Sequence, residues 1–145
     1  NVLEGTYKPS SELPSHLSIY KIRNDVNAVV HAHPPFATGL FTAGYILKNV
    51  TPEYVLLIGE PKVIDFVLPG YHTSQVISKT ISMSNVIVIK NHGVFCVGNN
   101  IEEALARVEV LEEAAKMVVA AKLFNSSLGI NDHDAEEIKR IYKKS

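Results

Sequence analysis

At 145 residues the chain has the length of one domain and buries roughly 70% of its unfolded surface on folding, so its core needs no disulfide. A formal charge of −1, with acidic and basic residues interspersed, argues against a nucleic-acid or membrane surface, and no apolar run reaches the ~20 residues of a membrane span. The lone cysteine, Cys96, has no internal partner and fits a reducing, cytoplasmic compartment. The chain opens on NVLEGTYKPSSE, without an initiator methionine and in a loop or edge strand, and so reads as part of a longer polypeptide. Residues 1–145 are expected to form a single domain with no internal repeat or linker.

In chain order, PSSELPSHLSIYKIR predicts a helix starting after Ser10 or Ser11. Either serine suits a cap, Pro14 suits a first turn, and Leu13, Leu17 and Tyr20 recur at helical spacing. NAVVHAH predicts a strand, stopped by Pro34–Pro35. FATGLFTAGYIL predicts a helix rich in small residues and weakened by Gly39 and Gly44. YVLLIG and KVIDFVL read as short β-like runs before a turn at Pro69–Gly70. TSQVISKTIS predicts a helix capped by Thr73 or Ser74, and NVIVIKNHGVFCVG predicts two strands broken at Asn91–His92–Gly93. The strongest helical signal is IEEALARVEVLEEAAKMVVAAKLF, with Leu105, Val108, Leu111 and Ala115 on one stripe. A short last helix follows through DAEEIKRIYK. Strands interleaved with helices give an α/β or α+β layered domain.

Three of the six histidines share a placement. His31 and His33 are separated by one residue at the end of an apolar strand, so both rings point the same way. His92 follows a second apolar strand. If the two strands are neighbours ending at one rim, the three imidazoles meet, and three neutral nitrogens with an open position suit a catalytic zinc ion. The pair alone suits ordinary half-buried polar residues equally well. His16 lies along its helix near this rim and reads as packing or support, while His72 and His133 read as loop residues. Glu12, just after Ser10 and Ser11, stands at a helix start, where the positive end of the helix dipole favours an anion; an ordinary cap explains it too. Glu102, Glu103, Glu109, Glu112 and Glu113 read as the solvated face of the long helix. Lys90 has no sequence feature that would depress its pKa for Schiff-base chemistry, and no phosphate-cradling glycine motif is present.

Four stretches in order, KPSSELPSHLSIYK, NAVVHAHPP, NHGVFCVG and IEEALARVEVLEEAAK, together resemble the class II aldolase and adducin head-domain family. The resemblance covers nearly the whole chain. It implies a three-layer α/β/α fold with a largely antiparallel central sheet, and a homotetramer with active sites between subunits. It also implies that His31, His33 and His92 bind Zn2+ or another divalent transition metal, and that Glu12 is the catalytic carboxylate, able to approach the metal when substrate is absent. Ser10 and Ser11 then match the serines that hold a substrate phosphate, and Tyr54 a tyrosine acting near the aldehyde across an interface. The implied substrate is a small phosphorylated sugar, a ketose 1-phosphate cleaved to dihydroxyacetone phosphate and a small aldehyde. Sugar-phosphate 4-epimerases, a methylthioribulose-phosphate dehydratase and a non-catalytic adducin-like assembly module belong to the same family. Members also carry an upstream segment with further phosphate-binding loops and a closing C-terminal tyrosine; here Tyr142 lies close to the last residue.

Overall fold

The computed structural model describes residues 6–142. The loop or edge strand expected at residues 1–5, and residue 143 of the expected last helix, lie outside the described residues. The element order is α1 (Leu13–Ile22), β1 (Ala28–Ala32), α2 (Pro35–Thr42), a π-helical turn (Tyr54–Ile58), β2 (Lys62–Ile64), α3 (Tyr71–Thr80), a 3-10 turn (Ile81–Met83), β3 (Val86–Ile89), β4 (Gly93–Gly98), α4 (Ile101–Leu123) and α5 (Asp132–Tyr142).

The layering follows from β3, whose four side chains are all buried. Successive strand residues face opposite sides of a sheet, so a wholly apolar run needs cover on both. Val86 and Val88, with Val94 and Cys96 of β4, pack against Ala37, Leu40 and Phe41 of α2 and Val108, Leu111 and Ala115 of α4. Ile87 and Ile89, with Phe95 and Val97, pack instead against Ile19 of α1 and Ile77 of α3. The result is α1 and α3 on one face, the sheet between, and α2, α4 and the π turn on the other. Burial holds the Cys96 thiol well up, at about 12.

Strand order is β1-β4-β3-β2, with β1–β4 and β4–β3 antiparallel and β3–β2 parallel. The expected three-layer α/β/α fold with a largely antiparallel sheet is therefore what the chain adopts. No helix among the described residues is long and apolar enough to cross a membrane.

Several local expectations are corrected. α2 stops at Thr42 because Gly44 N–H bonds to Phe41 O and Tyr45 N–H to Leu40 O, the pairing that closes a helix, so AGYIL is not helical. YVLLIG is not a β-run: Gly59 N–H reaches back five residues to Tyr54 O. α3 begins at Tyr71, and the Thr73 and Ser74 hydroxyls donate back to Leu68 O and Tyr71 O instead of capping it. His72 and His133 lie in helices α3 and α5, not in loops. On α4 the buried stripe runs through Ala104, Val108, Leu111 and Ala115, while Leu105 is 45% exposed.

Candidate metal centre

β1 and β4 are neighbours, which places His31 directly opposite Phe95. His31 lies flat on that ring, with centroids 4.1 Å apart and planes 16° from parallel. Its Nδ1 sits 2.9 Å from Val94 O. A carbonyl only accepts, so Nδ1 carries the proton and Nε2 keeps its lone pair for a ligand. His33, two residues on, turns its Nε2 to 3.1 Å from His31 Nε2.

His92 reaches the same place from the β3–β4 turn. That turn is closed by His92 N–H to Ile89 O at 3.1 Å, and Asn91 supplies its left-handed residue at φ 57°, a conformation asparagine tolerates. One nitrogen from each of His31, His33 and His92 falls within 4.8 Å of the others.

Gly93 makes this convergence possible. A Cβ at that position would stand 2.6 Å from His33 Cδ2 and would also strike the Ala32 carbonyl, which is backbone and cannot swing aside. Gly93→Ala is accordingly expected to push His33 off the shared point and weaken divalent-metal binding by about tenfold or more, the scale set by losing a group that orients a ligand. Isothermal titration of the variant with Zn2+ checks this; an unchanged affinity contradicts it.

The donor set fits a divalent transition metal. Burial is the largest cause holding both His31 and His92 below the usual histidine range, so both rings are neutral, the form that binds metal. His92 Nδ1 is buried without a hydrogen-bond partner among the described residues, a polar atom the protein itself leaves unsatisfied. Nitrogen donors of this kind suit zinc and its transition-metal neighbours better than magnesium or calcium.

The same shifts make the metal-free protein acid-sensitive. His16, His31 and His92 all titrate below their unfolded value of 6.5, so the unfolded chain binds protons first. Their contribution to stability is present above about pH 6.5 and is lost as pH falls through the lowered folded values. Denaturant midpoints of the metal-free chain are expected to drop between pH 7.5 and 5.5; equal midpoints would contradict the burial of these rings.

Glu12, immediately before α1, is 3% exposed, and its side chain does not cap its own helix. Oε1 accepts Gly70 N–H at 2.8 Å, and Oε2 accepts the Ser15 hydroxyl at 2.8 Å. Gly70 holds φ 85°, and a side chain there would be strained and crowd Ser11 O at 3.3 Å, so glycine is what lets this amide face the carboxylate. The charge of Glu12 acts on His16, His31 and His92, tending to raise each. Ser10 and Ser11 are exposed beside it, and Ser10 Oγ accepts Glu12 N–H at 3.2 Å.

Comparison with known proteins identifies the family. Residues 1–119 match the model of the class II aldolase and adducin N-terminal domain. The chain belongs to that family. It is 38% identical over 120 residues to an L-fuculose phosphate aldolase of Methanocaldococcus jannaschii, covering 82% of this chain and 64% of that protein. It is 32% identical over 123 residues to a 3-oxo-tetronate 4-phosphate decarboxylase of Haemophilus influenzae, covering 81% of this chain and 58% of that protein. A solved L-fuculose 1-phosphate aldolase superposes with a TM-score of 0.84 at 28% identity, covering 99% of this chain and 68% of the other. The chain thus spans under two thirds of the length of these two curated relatives.

Two positions matched to the class II aldolase pattern stand apart from the three converging rings. Glu12 lies outside the group of converging ligand atoms, and its two oxygens accept from Gly70 and Ser15. Tyr54 has no exposed surface; it packs with Leu47, Val50 and Ile58, and its hydroxyl donates to Leu47 O at 2.9 Å. Burial also drives the Tyr54 phenol well above the ordinary tyrosine range. A ring enclosed on all sides is presented neither to substrate nor across an interface, so Tyr54 is a core residue. His16 is a packing residue as expected, edge-on to Phe95 with centroids 5.9 Å apart. Lys90 is paired to Asp65 at 2.8 Å.

Proposed function

We propose that this class II aldolase-family chain carries the metal centre and proton-transfer carboxylate of a zinc-dependent lyase. Its substrate is a ketose 1-phosphate such as L-fuculose 1-phosphate, cleaved to dihydroxyacetone phosphate and a small aldehyde such as lactaldehyde. The observation that carries the reading is the meeting of three imidazoles, two of them held neutral by burial, with a buried carboxylate whose charge acts on those two. Likeness to the archaeal L-fuculose phosphate aldolase supports the substrate class.

His31, His33 and His92 would hold the cation, which when bound supplies Lewis-acid polarisation of a carbonyl. Glu12 moves the proton: in condensation it accepts one from the carbon beside the dihydroxyacetone phosphate carbonyl, and in cleavage it returns it. The Gly70 amide is fixed in the backbone and pins Oε1. Among the described residues Oε2 has only the Ser15 hydroxyl, whose proton is not fixed by the backbone, so Oε2 is the oxygen assigned to exchange the proton. Ser10 and Ser11 hold the remote phosphate, and that binding energy orients the reacting carbons.

Likeness to the Haemophilus decarboxylase favours a second reading, loss of carbon dioxide from a phosphorylated 3-oxo acid at the same centre. Exposed Leu13, Leu17 and Tyr20 on α1 support assembly into the expected homotetramer, which sedimentation would measure. The function itself is tested by assaying a panel of ketose 1-phosphates with and without chelator. Chelator-sensitive release of dihydroxyacetone phosphate is expected. Release of carbon dioxide from a 3-oxo acid phosphate instead would select the decarboxylase, epimerised or dehydrated products would select those branches, and a chain that binds no metal and turns over nothing would select the adducin-like module.

A further inference from the structure

α2 starts at Pro35, two residues beyond His33, and Pro34 before it has no side-chain acceptor with which to cap it. The first free amides of α2 are satisfied from elsewhere. Glu112, midway along α4, accepts Phe36 N–H at 3.2 Å on Oε1 and Ala37 N–H at 2.9 Å on Oε2. A carboxylate placed there answers both the unpaired donors of a helix start and the positive end of its dipole. The expected solvated role of Glu112 is corrected by this contact.

His33 has little else to fix it. Its ring is exposed, and among the described residues its one hydrogen-bond contact is the facing nitrogen of His31. Where the ring stands is therefore set by the segment that carries it, in which the Ala32 carbonyl and the ring's own Cδ2 lie against Gly93 on one side and Pro34–Pro35 run into the capped end of α2 on the other. His33, Pro34, Val108 and Glu112 line one open cleft of about 380 Å3, so Glu112 and the ligand ring share a wall.

We infer that Glu112 is a positioning residue for the metal centre, clamping the start of α2 so that His33 stays aimed at the point shared with His31 and His92. This rests on the reading of the three histidines as metal ligands.

The test is Co2+ titration of the full chain, followed by visible absorption, at a temperature where circular dichroism shows each variant folded. Glu112→Ala is expected to raise the Co2+ Kd tenfold or more, within the ~10–100-fold range for groups that orient a ligand. Glu112→Gln keeps one acceptor oxygen and is expected to lose at least threefold. Glu113→Ala, which removes only a surface pair with Lys116, is expected to bind as the parent does. The deciding arm repeats Glu112→Ala and Glu112→Gln in a His33→Ala background: acting through His33, each changes the Kd there by less than threefold. Parental affinity in both Glu112 variants, or an equal loss in both backgrounds, would overturn the inference. If Glu112→Ala does not fold, the glutamine variant decides by the same comparison. A parent chain with no saturable Co2+ binding would overturn the metal reading, and this inference with it; a parent that binds while the Glu112 variants match it overturns the inference alone.

Discussion

Replacing His92 with alanine is expected to abolish tight divalent-metal binding and turnover while leaving the fold in place. The turn that presents His92 is held by its backbone and by Asn91 N–H donating to Thr42 Oγ1 at 2.9 Å, and among the described residues no hydrogen bond of that turn uses the imidazole. Truncation also removes the unpaired Nδ1, whose burial costs about 1–3 kcal/mol, and this offsets the packing lost with the ring. The metal-free variant should therefore unfold close to the parent. Loss of one of three ligands should exceed the ~10–100-fold penalty of losing a supporting group. Circular dichroism and a chelator competition with Zn2+ check the two halves. Full zinc occupancy in the variant would remove His92 from the ligand set.

Glu12→Gln is expected to separate metal binding from proton transfer. Glutamine keeps the shape: its carbonyl can still accept Gly70 N–H, and its amide can donate to Ser15 Oγ, a hydroxyl that accepts as readily as it donates. The buried network stays satisfied, and the zinc affinity should stay near the parent's, since Glu12 lies outside the converging ligands. What is lost is the ability to take a proton, worth roughly 100- to 10,000-fold in rate. Deuterium exchange into dihydroxyacetone phosphate, followed by proton NMR, reads that step without the aldehyde. Exchange at the parental rate would take Glu12 out of its proposed role.

The parts of the site legible in the sequence are those set by short-range rules. H-x-H on a strand fixes two rings on one side through the two-residue period, and an asparagine–histidine–glycine turn after VIVIK announces a reversal with a histidine at its tip. The layered fold was legible in the interleaving of strand and helix signals, and its three-layer form in the resemblance; VIVI and GVFCVG prove wholly buried, as the middle of a sheet covered twice must be. What was not legible depends on contacts far apart in the chain. Nothing near Glu112 shows that it caps a helix start some 75 residues earlier. Gly70, read only as a turn residue, is also the amide that fixes Glu12 across 58 residues. Tyr54 was matched by the resemblance alone, and a tyrosine among aliphatic residues reads alike in a wall or a core; its enclosure makes it core here. YVLLIG has the composition of a strand, and tertiary packing against α4 made it a π turn instead.

The most direct measurement is X-ray absorption at the zinc edge on the full chain loaded with one equivalent of Zn2+. The account predicts one ion per chain with about three imidazole nitrogens at ~2.0–2.1 Å, their outer-shell scattering lost in part when His33 or His92 is replaced by alanine. A spectrum with fewer than two imidazoles, or one unchanged by either substitution, would contradict it.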